Sequence, residues 1–185
     1  PLAGFSTRAG EPTNAVYGFA RTLLDIMQKE KPEYIAVSFD RGLSGRDTWY
    51  EEYKGTREKM PGELRTQMDR IAQLVEAFNM PLLAMDGYEA DDVIGTIAPQ
   101  AEAQDLDIRI VTGDRDILQL LTDHVTVQLP KKGEPDIVFD VAKFREEYGL
   151  EPWQLVELKG LVGDTSDNIP GVKGIGAKTA TKLLQ

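Results

Sequence analysis

The most chemically suggestive stretch of this sequence is residues 86–92, which read DGYEADD and place four carboxylates within seven residues. An apolar run follows directly and predicts that a helix begins here. On that helix Glu89 and Asp92 would share a face, because they are three residues apart. Three carboxylates, counting Asp91, exceed what a helix cap requires. The pattern indicates either a hard-cation site with oxygen ligands or an acidic first turn that interacts favourably with the helix dipole.

Further acidic residues occupy comparable places along the chain. Asp40 ends a short β-rich run, and Asp114 and Asp116 directly follow another. Ligands bind parallel α/β sheets outside the carboxyl ends of the strands, so we expect all these acids to lie at one edge of the sheet. Carboxylates gathered in one crevice repel one another unless a cation separates them. The convergence therefore favours a metal site.

The available ligand types restrict the choice of metal. The chain has no cysteine and a single histidine, His124, which we interpret as a surface residue. Carboxylate oxygens then select hard ions such as Mg²⁺ or Mn²⁺. Such clusters often serve two-metal phosphoryl transfer, with the ions ~3.5–4 Å apart. Calcium storage is the competing use, and the lack of a regularly spaced EF-hand loop disfavours it.

The apolar pattern alternates between helical and strand periods, which predicts an α/β domain with a mostly parallel sheet flanked by helices. Pro99 should end or kink the helix that follows the acidic stretch, because a proline removes one hydrogen bond and clashes with the preceding turn. The expected helices cover residues 14–30, 63–78, 89 onward, 141–148 and 152–161, and the expected strands 34–39, 82–85, 108–112, 125–129 and 137–139.

Residues 41–62 differ in kind from the rest of the chain. They contain glycines, a proline and mixed charges with little periodicity, and they interleave arginines and lysines with Trp49, Tyr50 and Tyr53. Irregular segments of this length in compact domains are commonly lids or binding loops. We interpret the segment as functional; the alternative is a flexible surface loop.

The C-terminal stretch, residues 163–185, combines acids, glycines and lysines. Asp164 and Asp167 form a further acidic pair, and residues 168–185 carry three lysines and no acid. A tight glycine turn that opens a helix offers backbone groups to a phosphate, although the spacing of a Walker loop is absent. We interpret the stretch as a hairpin of two helices that grips a nucleic-acid backbone; the alternative is an ordinary turn between helices.

The composition is that of a globular protein. The 185 residues are 41% hydrophobic and 28% charged, which suits one ordinary domain. No apolar run approaches the ~18 residues of a membrane span, so we expect no membrane partner. The net charge of −10 argues at first against a polyanionic partner. Because most of that charge belongs to the eight carboxylates singled out, metals could still bind phosphates at one place and lysines at another.

Three motifs, GYEADD, VTGDRD and GDTSDNIPGVKGIGAKTA, occur in this order with YEEYKGTR upstream. This arrangement resembles the structure-specific 5′-nuclease (flap endonuclease) family, most of all the 5′-nuclease domain of bacterial DNA polymerase I, over essentially the whole chain. The resemblance implies a PIN-like α/β core over residues 1–140 with a helical arch at about 41–62. It also implies a helical DNA-binding region over 141–185 with an incomplete helix-three-turn-helix, a helix-hairpin-helix-like element.

The resemblance implies roles for particular residues. Lys54 and Arg57 would be catalytic, steering the scissile phosphate, and Tyr53 would stack on a base. Two or more Mg²⁺ or Mn²⁺ ions would hydrolyse phosphodiester bonds in branched or 5′-ended DNA, and K⁺ would bind at the hairpin turn. The implied metal ligands are Asp40, Glu89, Asp91, Asp92, Asp114, Asp116, Asp164 and Asp167. The implied DNA-binding residues are Arg46, Tyr53, Gly171, Lys173, Gly174, Gly176, Lys178 and Thr179.

The family pattern also sets expectations about the ends and the setting of the chain. Family members begin with an apolar strand that ends in an Asp-Gly pair, and they continue with further helices, so we expect this sequence to lack one strand, one metal ligand and those helices. Two alternatives remain open: a fragment that binds branched DNA without cutting it, and a PIN-type ribonuclease, which would not carry the glycine-rich hairpin. We expect a bacterial, cytoplasmic monomer that is fused to or acts with a DNA polymerase in replication and repair.

Overall fold

A computed structural model of the protein describes residues 5–42, 44–57, 60–131 and 133–185. The chain divides into two compact units that alternate along the sequence. The first unit comprises the described residues of Pro1–Asp40 and Glu58–Met85, and the second those of Arg41–Arg57 and Asp86–Gln185. The predicted division at residues 140 and 141 stays a prediction. In the described part of the chain, each helix falls short of the length or the apolar content that a bilayer span requires.

Helices and short strands alternate along the described chain, so the α/β class is confirmed. The α-helices are α1 (Asn14–Lys29), α2 (Arg46–Trp49), α3 (Gly62–Ala77), α4 (Ala90–Glu102), α5 (Val141–Tyr148), α6 (Leu155–Val162) and α7 (Ala177–Leu184), with 3-10 turns at Asp116–Leu120 and Pro152–Gln154. The strands are β1 (Val37–Ser38), β2 (Leu82–Leu83), β3 (Ile108–Val111), β4 (Val125–Leu129), β5 (Ile137–Phe139), β6 (Gly163–Asp164) and β7 (Ile169–Pro170).

The first unit packs α1 against α3 beside the parallel pair β1–β2. Buried Gln67 on α3 accepts a hydrogen bond from the Ala15 backbone at 2.7 Å, which joins the start of α1 to α3. The strand predicted over 34–39 is only two residues long, because a strand extends only where a neighbour pairs with it and β2 is equally short. The small core of this unit is formed by Leu23, Val75 and Met80.

The second unit contains a three-stranded sheet in the order β3-β4-β5. β3 and β4 run parallel, whereas β4 and β5 are antiparallel across a short turn. Its core includes Val127, Phe139 and Phe144, each fully buried, and burial of such a side chain contributes about 1.5–3 kcal/mol. The described sheets are therefore small, with parallel pairing in β1–β2 and β3–β4 and antiparallel pairing elsewhere.

Helix α4 continues past Pro99 to Glu102, so of the two expected effects of Pro99 the early end was wrong, and the kink stays a prediction. The proline removes only its own N–H donor, and the helix resumes at once because the Ala103 N–H donates to the Pro99 carbonyl at 3.0 Å. Packing of the buried Ala98 into the core compensates for the local cost.

The region between α6 and α7 contains a β-hairpin, formed by β6 and β7, that the sequence did not predict. β6 and β7 pair antiparallel, and their backbones come very close. A Cβ on Gly163 would lie 2.4 Å from the Gly171 nitrogen, and a Cβ on Gly171 would lie 2.1 Å from the Val162 carbonyl oxygen. Gly163 also has φ +83°, which favours glycine. The close approach of the two strands therefore requires glycine at both positions.

Candidate functional site

A cleft of about 740 Å³ in the second unit gathers most of the predicted site residues. The structure brings seven of the eight predicted carboxylates into its lining, together with four basic side chains. Asp40 lies in the first unit, exposed after β1, and its role stays a prediction. The carboxylates are Glu89, Asp91, Asp92, Asp114, Asp116, Asp164 and Asp167, and the basic residues are Arg46, Lys54, Arg57 and Lys159.

The start of α4 supplies one wall of the cleft. Glu89 is the cap residue, and its backbone N–H donates to the Asp92 carboxylate at 2.9 Å in a reciprocal capping box. Arg46, at the start of α2, donates to both Asp92 oxygens at 2.6 and 3.0 Å. Burial raises the pKa of Asp92, but the Arg46 hydrogen bonds, the Glu89 N–H and the nearby charges of Arg46 and Lys54 together lower it below its usual value. The acidic stretch thus caps the helix and also lines the cleft.

Glu89 is contacted by three side chains of α2 and the segment that follows it. Its carboxylate lies 2.7 Å from the Lys54 ammonium and 3.4 Å from the Arg46 guanidinium. The Tyr53 hydroxyl lies between Glu89 and Asp167, at 3.1 and 3.2 Å respectively. Burial and these two carboxylates raise the pKa of Tyr53, so the hydroxyl remains protonated and donates. For Glu89, burial raises the pKa and its bonds to Lys54 and Ser44 lower it, with a net lowering.

Lys159, on α6, joins two acids from different elements, and the sequence analysis missed it. Its ammonium donates to the Asp164 carboxylate at 2.6 Å and also to the Asp116 carboxylate. Burial raises the pKa of Asp164, but Lys159 and Ser166 lower it to about 2. The pKa of Asp116 is raised because burial outweighs the Lys159 bond. One signal was available: Lys159 lies five residues before Asp164, near the end of an apolar helix.

The segment 50–57 is attached to the turn between β6 and β7. Arg57 binds the Asp167 carboxylate, and the Lys54 N–H donates to the Asp167 carbonyl at 3.0 Å. The Tyr50 hydroxyl donates to the Asn168 carbonyl at 3.1 Å, and the Asn168 amide donates to the Glu52 carbonyl at 2.9 Å. Residues more than 100 positions apart therefore form one wall, which no local sequence pattern could have indicated.

The carboxylates in the cleft have the donor chemistry of a hard-cation site, since every candidate ligand is an oxygen. Within residues 5–42, 44–57, 60–131 and 133–185, however, no three acidic or histidine side chains converge closely enough to hold an ion. The acids are paired with basic side chains instead: Arg46 bridges Glu89 and Asp92, and Lys159 bridges Asp116 and Asp164. Lys54 pairs with Glu89, and Arg57 pairs with Asp167. The carboxylate oxygens are suitable ligands for divalent cations. For an ion to bind, the basic side chains would have to move away from the carboxylates that they now contact.

The predicted DNA-binding residues divide between two places. Arg46 and Tyr53 are in the cleft and bound to its acids. The other six are exposed on the stretch that leads from β7 into α7, where Gly174 has φ +84° and Gly176 caps the helix. These six are Gly171, Lys173, Gly174, Gly176, Lys178 and Thr179. Their proposed contacts to DNA stay predictions.

Two protein-family models match the chain and together cover almost all of it. Residues 2–149 match the 5′-3′ exonuclease, N-terminal resolvase-like domain, and residues 150–185 match the 5′-3′ exonuclease, C-terminal SAM fold. A DNA polymerase I of Chloroflexus aurantiacus is 51% identical over 187 residues, which is 99% of this chain and 20% of the relative. The chain thus spans about a fifth of the length of the curated relatives it matches.

Solved structures share the fold at lower identity. The T5 D15 protein, co-crystallised with metal ions, matches with a TM-score of 0.78 and 24% identity over 93% of this chain and 67% of that chain. A second structure is a pseudo-enzyme-product complex of the bacteriophage T5 D15 flap endonuclease with DNA and metal ions, with a TM-score of 0.73 and 24% identity over 93% of this chain and 66% of that one. At these identities the likeness shows a common fold.

Proposed function

The chain belongs to the 5′-3′ exonuclease family, and from that membership we propose that it is the part of a larger protein that cleaves DNA as a metal-dependent, structure-specific 5′-nuclease. The substrate class is branched or 5′-ended DNA, such as a displaced flap in replication or repair, and the reaction is hydrolysis of a phosphodiester bond. The observation that carries the proposal is the cleft that gathers seven carboxylates with four basic side chains.

The carboxylates would hold two or more divalent cations, Mg²⁺ or Mn²⁺, and these ions supply an activated water and neutralise charge on the phosphate. Asp116 and Asp164 would form one part of this set, because they share Lys159. Glu89, Asp92 and Asp167 would form another, because Glu89 shares Arg46 with Asp92 and the Tyr53 hydroxyl with Asp167. Asp91 and Asp114 line the same cleft. The role of Asp40, which lies in the first unit, stays a prediction.

Lys54 and Arg57 would stabilise the negative charge that develops on the phosphate oxygens during in-line attack. Both now bind carboxylates, Lys54 that of Glu89 and Arg57 that of Asp167. Once cations neutralise those acids, the two basic side chains can exchange a carboxylate oxygen for a phosphate oxygen, which has the same charge sign and hydrogen-bonding capacity. No protein nucleophile is needed.

The stretch that leads from β7 into α7 and the first turns of α7 would hold the duplex part of the substrate. Its lysines are exposed and its glycines leave the backbone accessible, so backbone N–H groups and ammonium groups could contact successive phosphates. We also propose that backbone carbonyls of this turn hold K⁺. We further propose that the chain acts beside a polymerase, as a monomer, at the nucleoid in the bacterial cytoplasm. The relatives are DNA polymerases I of bacteria, which supports the association with a polymerase.

The test replaces Asp114 by Ala and measures cleavage of a 5′-flap DNA substrate in Mg²⁺. We expect the rate to fall by about a hundredfold or more, the size of effect of removing one group that stabilises the transition state. Asp107→Ala is the matched control, because Asp107 is 90% exposed, pairs with His124 and does not line the cleft. Wild-type rates from Asp114→Ala would contradict the assignment.

Two further measurements distinguish the nuclease from a protein that only binds branched DNA and from a ribonuclease. Binding of the flap substrate in Ca²⁺, with no cleavage in Mg²⁺ by the unaltered chain, would identify a protein that binds branched DNA without cutting it. Faster cleavage of single-stranded RNA than of flap DNA would identify a ribonuclease. We expect binding in Ca²⁺ and cleavage of flap DNA in Mg²⁺.

A further inference from the structure

Trp49 is the most exposed large apolar side chain in the described part of the chain. Its indole is 88% exposed, and it lies at the end of α2 in the lining of the carboxylate cleft. Exposure of a bulky aromatic ring is unfavourable by the hydrophobic effect, and an aromatic ring beside a binding cleft is a typical recognition element. The proposed chemistry of the cleft gives this ring no role.

The short helix that carries Trp49 is fixed at both ends. At its start Arg46 donates two hydrogen bonds to Asp92, and at its end the Tyr50 hydroxyl donates to the Asn168 carbonyl at 3.1 Å. Between them the Thr48 hydroxyl donates to the Gly45 carbonyl at 2.6 Å. The indole is therefore presented from an ordered support at the cleft, so a ligand that uses it does not first have to order a loop.

Tyr53, the residue that the sequence analysis assigned to base stacking, is engaged differently. Its hydroxyl is held between Glu89 and Asp167, and the Lys54 ammonium lies 5.0 Å from the centre of its ring. One face of the Tyr53 ring is thus occupied by a cation. The aromatic pairs formed among the described residues involve Phe5, Phe19, Phe144 and their partners, and they leave the Trp49 ring faces uncovered.

We propose that Trp49 stacks on an unpaired nucleobase of the 5′ strand where that strand enters the cleft. This inference rests on the proposed function. A nucleobase suits the position because it is flat and uncharged, so the surrounding carboxylates do not repel it as they repel a phosphate. Stacking on an aromatic ring is tolerant of base identity, because every base presents a π-face. Trp49 is thus a positioning residue that selects for a single-stranded 5′ end.

The two tryptophans of the chain allow a direct test by fluorescence. Trp153 is 62% exposed and does not line the cleft, so it is the matched control. In Trp153→Phe the only indole is Trp49, and in Trp49→Phe the only indole is Trp153. Each variant is titrated in Ca²⁺ with a duplex that carries a short 5′ single-stranded flap, and with the same nicked duplex without a flap.

We expect the flap substrate to quench Trp49 fluorescence, the flapless duplex to quench it much less, and neither to change Trp153. Trp49→Ala should bind the flap substrate about tenfold more weakly, within the range measured for loss of one base–aromatic stack. Trp49→Phe should retain most of the affinity, and Trp153→Ala should bind as the unaltered chain does. Affinity for the flapless duplex should be the same in all variants.

The outcomes separate this inference from the proposed function. Flap binding and cleavage without Trp49 quenching would overturn the role of Trp49 and leave the nuclease assignment intact. Equal quenching by both duplexes would overturn the selection for an unpaired base. Flap-specific quenching of Trp49 without cleavage in Mg²⁺ would overturn the nuclease assignment and leave the role of Trp49 intact. Failure of the unaltered chain to bind the flap substrate would overturn both.

Discussion

At the scale of single residues, Lys159 neutralises two carboxylates of the cleft. Its ammonium is shared by Asp164, whose side chain is 11% exposed, and Asp116, which is 31% exposed. The two acids respond in opposite ways. Burial, with the nearby charges of Asp114 and Asp164, raises the pKa of Asp116, whereas Ser166 adds two hydrogen bonds to Asp164. The pKa of Asp164 is therefore lowered to about 2, and the pKa of Asp116 is raised.

This difference predicts opposite effects of two similar substitutions on the metal-free protein. A carboxyl with a lowered pKa stabilises the fold above its unfolded pKa of about 3.9, and that contribution disappears as the pH falls towards 2. Asp164→Asn should therefore lower the unfolding free energy at neutral pH by about 1–2 kcal/mol. The unfolding free energy of this variant should also fall less steeply between about pH 4 and pH 2. A raised pKa has the reverse sign, so the ionised Asp116 destabilises the fold at neutral pH.

The matched variant is Asp116→Asn, which should change the stability at neutral pH by less than about 1 kcal/mol or increase it. Both are measured by urea unfolding in EDTA across the pH range. Equal losses for the two variants would contradict the opposite directions of the two pKa shifts.

At the scale of elements, the hairpin β6–β7 positions two acids and the lysine-rich stretch together. Asp164 ends β6, Asp167 lies in the turn, and the exposed lysines follow β7. The geometry of this hairpin depends on the close approach of the Gly163 and Gly171 backbones, and on the hydrogen bond from the Val172 N–H to the Leu161 carbonyl at 2.8 Å. Glycine in this stretch therefore has a packing role at some positions and leaves the backbone accessible at others.

That distinction predicts different results for two glycine-to-alanine changes. Gly171→Ala places a Cβ 2.1 Å from the Val162 carbonyl oxygen and should destabilise the protein by about 2–3 kcal/mol, because the atoms that the new Cβ meets belong to the backbone and cannot rotate away. Gly176→Ala has open space around its Cβ and should leave stability nearly unchanged. Thermal unfolding of the two variants measures the difference. If Gly171→Ala melts as Gly176→Ala does, the close approach of the strands is wrong.

At the scale of the whole molecule, one basic stretch without acids stands out on an acidic chain. The net charge is −10, yet residues 168–185 contain lysines and no acid. Electrostatic attraction to a phosphate backbone is local and is screened over about 8 Å at physiological salt, so a basic stretch can bind DNA on an acidic protein. The proposed cations would reduce the repulsion from the cleft in addition.

The basic character of this stretch predicts that its lysines carry salt-dependent DNA affinity. Lys178→Ala should weaken binding to duplex DNA and reduce the slope of log affinity against log salt by about 1, since one phosphate contact is lost. Lys29→Ala is the control, because Lys29 lies on α1 in the first unit and pairs with Asp25. The measurement is fluorescence anisotropy in Ca²⁺ at several salt concentrations. An unchanged slope for Lys178→Ala would exclude a phosphate contact at this position.

The sequence by itself determined the order of helices and strands and the types of side chain available for chemistry. Apolar periodicity is a local property, so α1, α3 and α5 begin and end close to their predicted residues. Carboxylates placed after successive strands also predicted a shared acidic cleft, and seven of eight reached it. A resemblance in several ordered motifs identified the family, which the family models confirm.

The tertiary structure alone decided which group each acid contacts and how far each element extends. Strand length depends on the pairing partner, so β1 and β2 are shorter than their apolar runs. Packing of Ala98 carried α4 past Pro99. The contacts of Lys159 with Asp116 and Asp164, and of Tyr53 with Glu89 and Asp167, join residues distant in sequence. Several basic side chains compete for several carboxylates in one cleft, and the folded arrangement decides which pairs form. A local stretch of sequence does not contain this information.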